Sequence, residues 1–192
     1  MIKLEIDGKR RHRGVVRLSD KPGAGVAMLA DISGGLPFKD ESAEEMYLDH
    51  TLEDVPDLVG AMREIWRVCR PGALVHIWLP HASSSWASSR NPAQKRAFTI
   101  ETFDFFDRER NPDDFPPDAT FEIEQSKLHL TTLRLGQRPA LTGGLVSSVI
   151  ESLANRGRGN QYRWERWLSG FIGFEEFYVL MTAVKTPAWA EE

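Results

Sequence analysis

Apolar and polar residues alternate at the start of the chain. Ile2, Leu4 and Ile6 are separated by Lys3 and Glu5, which predicts a short strand ending at the polar segment "DGKRRHRG". Two further short apolar runs, "VVRL" and "VAMLAD", flank the turn-forming "SDKPGAG" and predict the second and third strands. "SGGLPFKDES" reads as a loop, and "EEMYLD" predicts a fourth strand. From Pro56 to Arg70 the period lengthens: Leu58, Met62, Ile65, Trp66 and Cys69 share one helical face, while Asp57, Arg63, Glu64 and Arg67 fall mostly elsewhere. Proline is tolerated in a first helical turn, and "RPG" at residues 70–72 supplies a stop. "ALVHIWLP" then predicts a mostly buried strand ending at Pro80.

This order suits parallel strands under helical cover, and the short early crossovers leave little room for full helices. Residues 83–117 are polar and irregular apart from a short helical pattern in "TIETFDFF". "ATFEIEQSKLHLTTLRL" predicts a long strand, "LTGGLVSSVIESLANR" and "YRWERWLSGFIGF" predict helices, and "EEFYVLMTAVK" predicts a closing strand. The expected architecture is α/β and Rossmann-like: a mostly parallel sheet with an antiparallel C-terminal strand and reduced N-terminal helices.

With 192 residues, 41% of them apolar, the chain can bury one substantial core, so a single domain over residues 1–192 is expected. The formal charge of −4 makes nucleic acid an unfavoured partner. Cys69 is the one cysteine, which excludes an intramolecular disulfide and a cysteine-rich metal centre. No metal is expected. The N-terminus lacks the apolar stretch of a secretory signal, and no run approaches the roughly 20 apolar residues of a membrane span, so a cytoplasmic protein is expected.

The stretch "ADISGGLPFKDESAEEMYLDHTLEDVPDLVGAMREIWRVCRPGALVHIWLPH" resembles class I S-adenosylmethionine-dependent methyltransferases of the small bacterial type 11 branch. Members combine an aspartate before "LPF", a strand ending near "LEH", a helix with "E-x-x-RVLKPGG" and a strand ending in "PH". "NPAQKRAFTIETFDFFD" also resembles a "DPTHKRFFT...FDYF" segment of one subgroup. The likeness is densest over residues 30–106.

The resemblance implies S-adenosylmethionine as cofactor and methylation of an oxygen or nitrogen on a small or glycan-like acceptor. In open α/β sheets, ligands lie beyond the carboxyl ends of the strands. Asp31 and Ile32 would meet the adenine and Asp49 would face the cofactor, with Ser19 or Asp20 near the ribose. Asp7 and Gly8 would occupy the turn after the first strand. His81, with His50 second, is the candidate general base, expected at an exposed position, and Lys95 and Arg96 would favour anionic acceptors.

Several positions depart from the pattern. Where "LGCG" is usual, Asp7 and Lys9 replace the outer glycines and leave Gly8 between them. A carboxylate at position 7 would oppose the cofactor carboxylate and attract its ammonium, while Lys9, Arg10 or Arg11 could offset it. Ser19 stands where an acidic residue grips the ribose, with Asp20 one position later. Asp54 and Gln94 replace two histidines. These changes open a second reading, a methyltransferase-like fold that has lost catalysis and serves as a binding or regulatory partner, in a homo- or hetero-oligomer.

Plainer roles stand beside the chemical ones. Asp31 can simply turn the chain, Asp49 and His50 can satisfy loop backbone groups, and His76 fits a structural role. "RGRGNQYRWERW" mixes basic and aromatic residues in a way that can suit RNA, a reading that the acidic balance disfavours. Trp164, Trp167, Leu168 and Phe171 share a helical stripe that suits a core or dimer face, with peripheral membrane contact as the alternative.

Overall fold

The structure, a computed structural model, describes residues 2–8, 12–84, 96–130, 141–168 and 174–185. One seven-stranded sheet organises them. Its strands are β1 (Ile2–Ile6), β2 (Val16–Ser19), β3 (Met28–Leu29), β4 (Ala43–Asp49), β5 (Cys69–Pro80), β6 (Phe121–Leu130) and β7 (Phe174–Ala183), in spatial order β3-β2-β1-β4-β5-β7-β6. β1 to β5 pair in parallel, and β7 runs antiparallel to both β5 and β6. The order reverses direction at β1, so the ends of β1 and β4 diverge to form a crevice.

Among the described residues three α-helices accompany the sheet: α1 (Leu58–Val68), α2 (Leu141–Ala154) and α3 (Arg158–Leu168). Among the described residues no α-helix joins β1 to β2, β2 to β3 or β3 to β4, and only a 3₁₀ turn at Ile32–Gly34 lies in those connections. The reduced N-terminal helices follow from connections too short to cross back as full helical turns. α1 buries Leu58, Ala61, Met62, Ile65 and Val68 against the sheet core, and Asp57 accepts from the Gly60 N–H at 3.0 Å as its cap. Burial of each large side chain contributes about 1.5–3 kcal/mol.

Several element boundaries differ from the pattern. β3 is two residues long, with Met28 40% and Leu29 59% exposed, because it is the sheet edge and has a partner on one side only. β5 starts at Cys69, so "RPG" does not separate helix from strand. The shift from Ala43↔Cys69 to Glu45↔Leu74 accommodates it as a bulge, with Gly72 at φ 77°. The "TIETFDFF" segment is a 3₁₀ helix over Ile100–Phe106. α3 begins four residues before Tyr162, where the predicted helix starts, and the continuation of the Trp164 stripe to Phe171 lies outside the described residues.

The two sheet faces differ in chemistry. Leu4, Ile6, Met46, Leu48, Val75, Ile77, Val179 and Met181 form the apolar core. On the other face stands a polar aromatic ladder: His12 stacks on Tyr47 at 4.0 Å between centroids, Tyr47 on His76 at 4.6 Å, and Trp78 meets Tyr178 at 4.8 Å. His76 is held between the Tyr178 hydroxyl at 2.8 Å and Glu45 at 3.1 Å, which fits its structural reading. Burial lowers the His76 pKa below its ordinary value and raises that of Tyr178.

β6 is the other edge. Asn155 both donates to and accepts from the Leu128 backbone at 2.8 Å, Glu151 accepts from the Leu130 N–H at 2.8 Å, and Gln161 donates to the Ser126 carbonyl at 2.7 Å. Side chains of α2, α3 and the turn between them thus satisfy edge groups that would otherwise be free to template another strand.

Candidate active site

The turn after β1 is built on a buried carboxylate. Glu5 has no solvent exposure; it accepts from Arg17 Nε at 2.7 Å and from the His12 N–H at 3.1 Å, with His12 Nδ1 at 3.2 Å. Arg17 also donates to the Gly8 carbonyl at 2.7 Å. A Cβ on Gly8 would lie 2.7 Å from the Glu5 side chain, so position 8 needs glycine because the buried acid passes beneath it. Asp7 has φ 51°, a left-handed conformation that aspartate tolerates better than most side chains. Its N–H donates to the Leu18 carbonyl at 2.9 Å and its Oδ1 accepts from the Asp20 N–H at 3.2 Å. The turn therefore keeps a glycine-like backbone path while presenting a carboxylate.

At the end of β3, Asp31 accepts from the Ser33 N–H at 2.9 Å and caps the 3₁₀ turn that carries buried Ile32. This turn is tied to α1. Glu64 accepts from the Leu36 N–H at 2.6 Å, while Arg67 donates to the Phe38 carbonyl at 2.9 Å and the Leu36 carbonyl at 3.1 Å. Hydrogen bonding to Glu64 and Asp40 raises the Arg67 pKa, and its guanidinium lowers that of Glu64. The paired appearance of "LPF" and "E-x-x-R" thus has a physical basis: the helix pair clamps the loop that follows Ile32.

These strand ends enclose a cavity of about 470 Å³ lined by Asp7, Asp20, Lys21, Asp31, Ile32, Ser33, His50, Thr51, Asp54, Val55 and Pro56. Its size falls within the roughly 300–1,000 Å³ of small-molecule sites. Thr51 donates to the Ile6 carbonyl at 2.7 Å and fastens the β1 end to the segment after β4. A neighbouring cavity of 340 Å³ shares Asp7 and Lys21 and adds Gly8, Arg17 and Ser19.

Asp7, Asp20, Asp31, Ile32 and His50 thus meet in the larger cavity. Ser19 and Gly8 line the smaller one. Asp49 is 1% exposed at the β4 end and is not among the residues lining either cavity. Arg96 donates to the carbonyl of Pro56, a lining residue, at 2.9 Å. Lys95 lies outside the described residues. The sequence singled out Asp54 only as a departure; Lys21, Thr51, Val55 and Pro56 carried no signal, because lining residues on loops follow no periodicity.

The expected exposure of His81 is not met. His81 is 3% exposed, and its Nε2 lies 2.8 Å from Glu165 while its Nδ1 lies 2.7 Å from Ser83 Oγ. The ring also packs edge-on against Phe174 and Phe177. A residue at the end of β5 is enclosed here because α3 brings Glu165 over it. His50 instead reaches the cavity, with φ 61°, its Nδ1 2.6 Å from Glu53 and its Nε2 2.8 Å from Glu176. Ligand atoms of Asp49, His50 and Glu176 lie within 4.8 Å of one another, a grouping of donors that could accept a metal ion.

Residues 10–77 match the family model of a methyltransferase domain. Over those residues the chain is similar to methyltransferase domains of the type 11 family. A 40-residue stretch is 50% identical to the demethylmenaquinone methyltransferase of Roseiflexus sp. strain RS-1, covering 21% of this chain and 17% of that protein, so the match spans under a fifth of the relative's length. Among solved structures, the chain resembles a chain from the complex between the Haloferax volcanii Trm112 methyltransferase activator and a methyltransferase (TM-score 0.56, 13% identity, 96% of this chain and 83% of that one). A SAM-dependent methyltransferase from Archaeoglobus fulgidus is similar too (TM-score 0.54, 13% identity, 94% and 85%). At these identities the structural likeness establishes the methyltransferase fold.

The domain implies S-adenosylmethionine as cofactor, and the lining fits the nucleoside part. Asp31 and Ile32 offer an acceptor and an apolar wall, and Asp20 offers a carboxylate at the end of β2. Asp7, where the family pattern has a glycine, adds a carboxylate to the lining of both cavities. No helix of the described residues is long and apolar enough to cross a membrane.

Proposed function

We propose that the chain is an S-adenosylmethionine-dependent methyltransferase that modifies an oxygen or nitrogen of a small or glycan-like acceptor. The observation that carries this reading is the meeting of Asp7, Asp20, Asp31, Ile32 and His50, from the ends of four strands, around one cavity of about 470 Å³. Asp31 accepts from the adenine amine, Ile32 covers the ring, and Asp20 accepts from the ribose hydroxyls. Ser19 and Gly8 shape the adjoining turn, and Asp49 supports the floor at the β4 end.

The bound sulfonium supplies an activated methyl: its carbon–sulfur bond breaks as the bond to the acceptor forms, and the electron pair returns to sulfur. Such transfer depends mainly on alignment, and orientation of this kind supplies roughly 7–11 kcal/mol. The acceptor proton passes to a base at the cavity. His50 takes that role by giving up its contact with Glu53 or Glu176, which frees a ring nitrogen to accept the proton, in preference to enclosed His81, which becomes a positioning residue. Arg96, beside Pro56, and Lys95 give the acceptor side a preference for anionic groups. Trp167 is 72% exposed on α3 beside exposed Arg163 and Arg166, and contact with an oligomeric partner or a membrane surface falls to that face.

Hydrogen exchange with and without S-adenosylmethionine tests the reading. Protection is expected at residues 7–8, 19–21, 31–33 and 50–56. Unchanged exchange at those segments with millimolar cofactor overturns it.

A further inference from the structure

We propose that Asp7 makes this cavity selective for positive charge, so that it ranks adenosyl ligands by their cationic character: the decarboxylated sulfonium first, S-adenosylmethionine second and the uncharged thioether product last. The inference rests on the cavity being the adenosyl site.

Its basis is the balance of charge around the cavity. Among the described lining residues, Asp7, Asp20, Asp31 and Asp54 are acidic, and Lys21 is the one fixed cation. Lys21 is 83% exposed and sits 3.5 Å from Asp20, so its charge is shared with an acid and screened by water. His50 is flanked by Glu53 and Glu176. The nearby guanidinium of Arg17 is already held by buried Glu5 and by the Gly8 carbonyl. It closes the turn from below and leaves the Asp7 carboxylate uncompensated by that pair.

Asp7 is also held in place. Its N–H is bonded to the Leu18 carbonyl, and its Oδ1 accepts from the backbone N–H of Asp20 beyond the carboxyl ends of β1 and β2. It lines both cavities, so any tail extending from a nucleoside seated at Asp31 and Ile32 toward the β1 turn meets this carboxylate. An ammonium or sulfonium is attracted there, whereas a tail carboxylate is repelled. A charge contact of this kind, partly shielded by solvent, changes affinity on the order of tenfold. Loss of the sulfonium charge on methyl transfer would then weaken the hold on the product and favour its release.

Calorimetric competition on the full chain decides the matter, using S-adenosylmethionine, its decarboxylated form, S-adenosylhomocysteine and tail-free adenosine as probes. The decarboxylated sulfonium is expected to bind about tenfold tighter than S-adenosylmethionine, which in turn exceeds S-adenosylhomocysteine by a similar factor. Asp7→Asn, which keeps an acceptor for the Asp20 N–H and tolerates a left-handed backbone, is expected to narrow both gaps severalfold, with far-ultraviolet circular dichroism verifying the fold. Equal affinities in the wild type, or gaps that persist in D7N, overturn the inference while leaving the adenosyl reading in place. Failure of all four ligands to bind overturns both.

Discussion

Replacing Glu5 with alanine lowers the stability of the fold by about 3 kcal/mol, because removal of one partner of a buried ion pair strands the other. Glu5 is fully buried and is the shared acceptor for Arg17 and His12. Arg17 retains 21% side-chain exposure, so water recovers part of its solvation and the effect stays near the lower end of the range for such pairs. The loss is compounded by the space opened beneath Gly8, where the acid side chain currently fills the turn. Urea denaturation of the wild type and E5A checks this, and a loss below about 1 kcal/mol would place Glu5 among ordinary surface substitutions.

A second large loss is expected two strands away, just beyond the end of β5. Glu165→Ala removes the carboxylate that lies 2.8 Å from His81 Nε2 and accepts from the Ile100 N–H at 2.9 Å. His81 and Glu165 have side-chain exposures of 2% and 7%, so water cannot easily replace the lost acceptor. The variant leaves two buried donors without their acceptor at the junction of β5, the 3₁₀ helix and α3, and about 2–4 kcal/mol is the expected cost. Glu165→Gln keeps an oxygen acceptor and should recover roughly half of it. A thermal melt in which E165A and E165Q both match the wild type would show that the contact adds nothing to the fold.

Both sites illustrate what a linear pattern can and cannot convey. Strand order, the amphipathic period of α1 and the closing antiparallel strand are local or sequential properties, and each is legible in the spacing of apolar residues. Glu5 occupies the polar position of a simple alternation and reads as solvent-facing. Its burial depends on Arg17 and His12, which arrive from beyond the turn. His81 follows a strand end and reads as exposed, until α3, more than 80 residues later, carries Glu165 over it. β3 looks like a six-residue apolar run because hydrophobicity does not reveal that its strand lies at an edge.

The candidate site was legible where a strand end supplied the residue. Asp31 both turns the chain and lines the cavity, so the plain and chemical roles coexist at one side chain. Asp20 lines the larger cavity and Ser19 the smaller, because the alternation of β2 sends successive side chains to different sides. Asp54 was visible only as a departure from a family pattern, and its place on the wall became meaningful with the loop after β4 folded against Thr51.

Isothermal titration of the full chain with S-adenosylmethionine, in parallel with Asp31→Ala, most directly tests whether this edge of the sheet is a nucleoside site. Saturable one-to-one binding by the wild type and at least tenfold weaker binding by the variant are expected, as for loss of a hydrogen bond to a charged acceptor. No heat from the wild type at millimolar ligand, or equal affinity in D31A, would contradict the nucleoside reading.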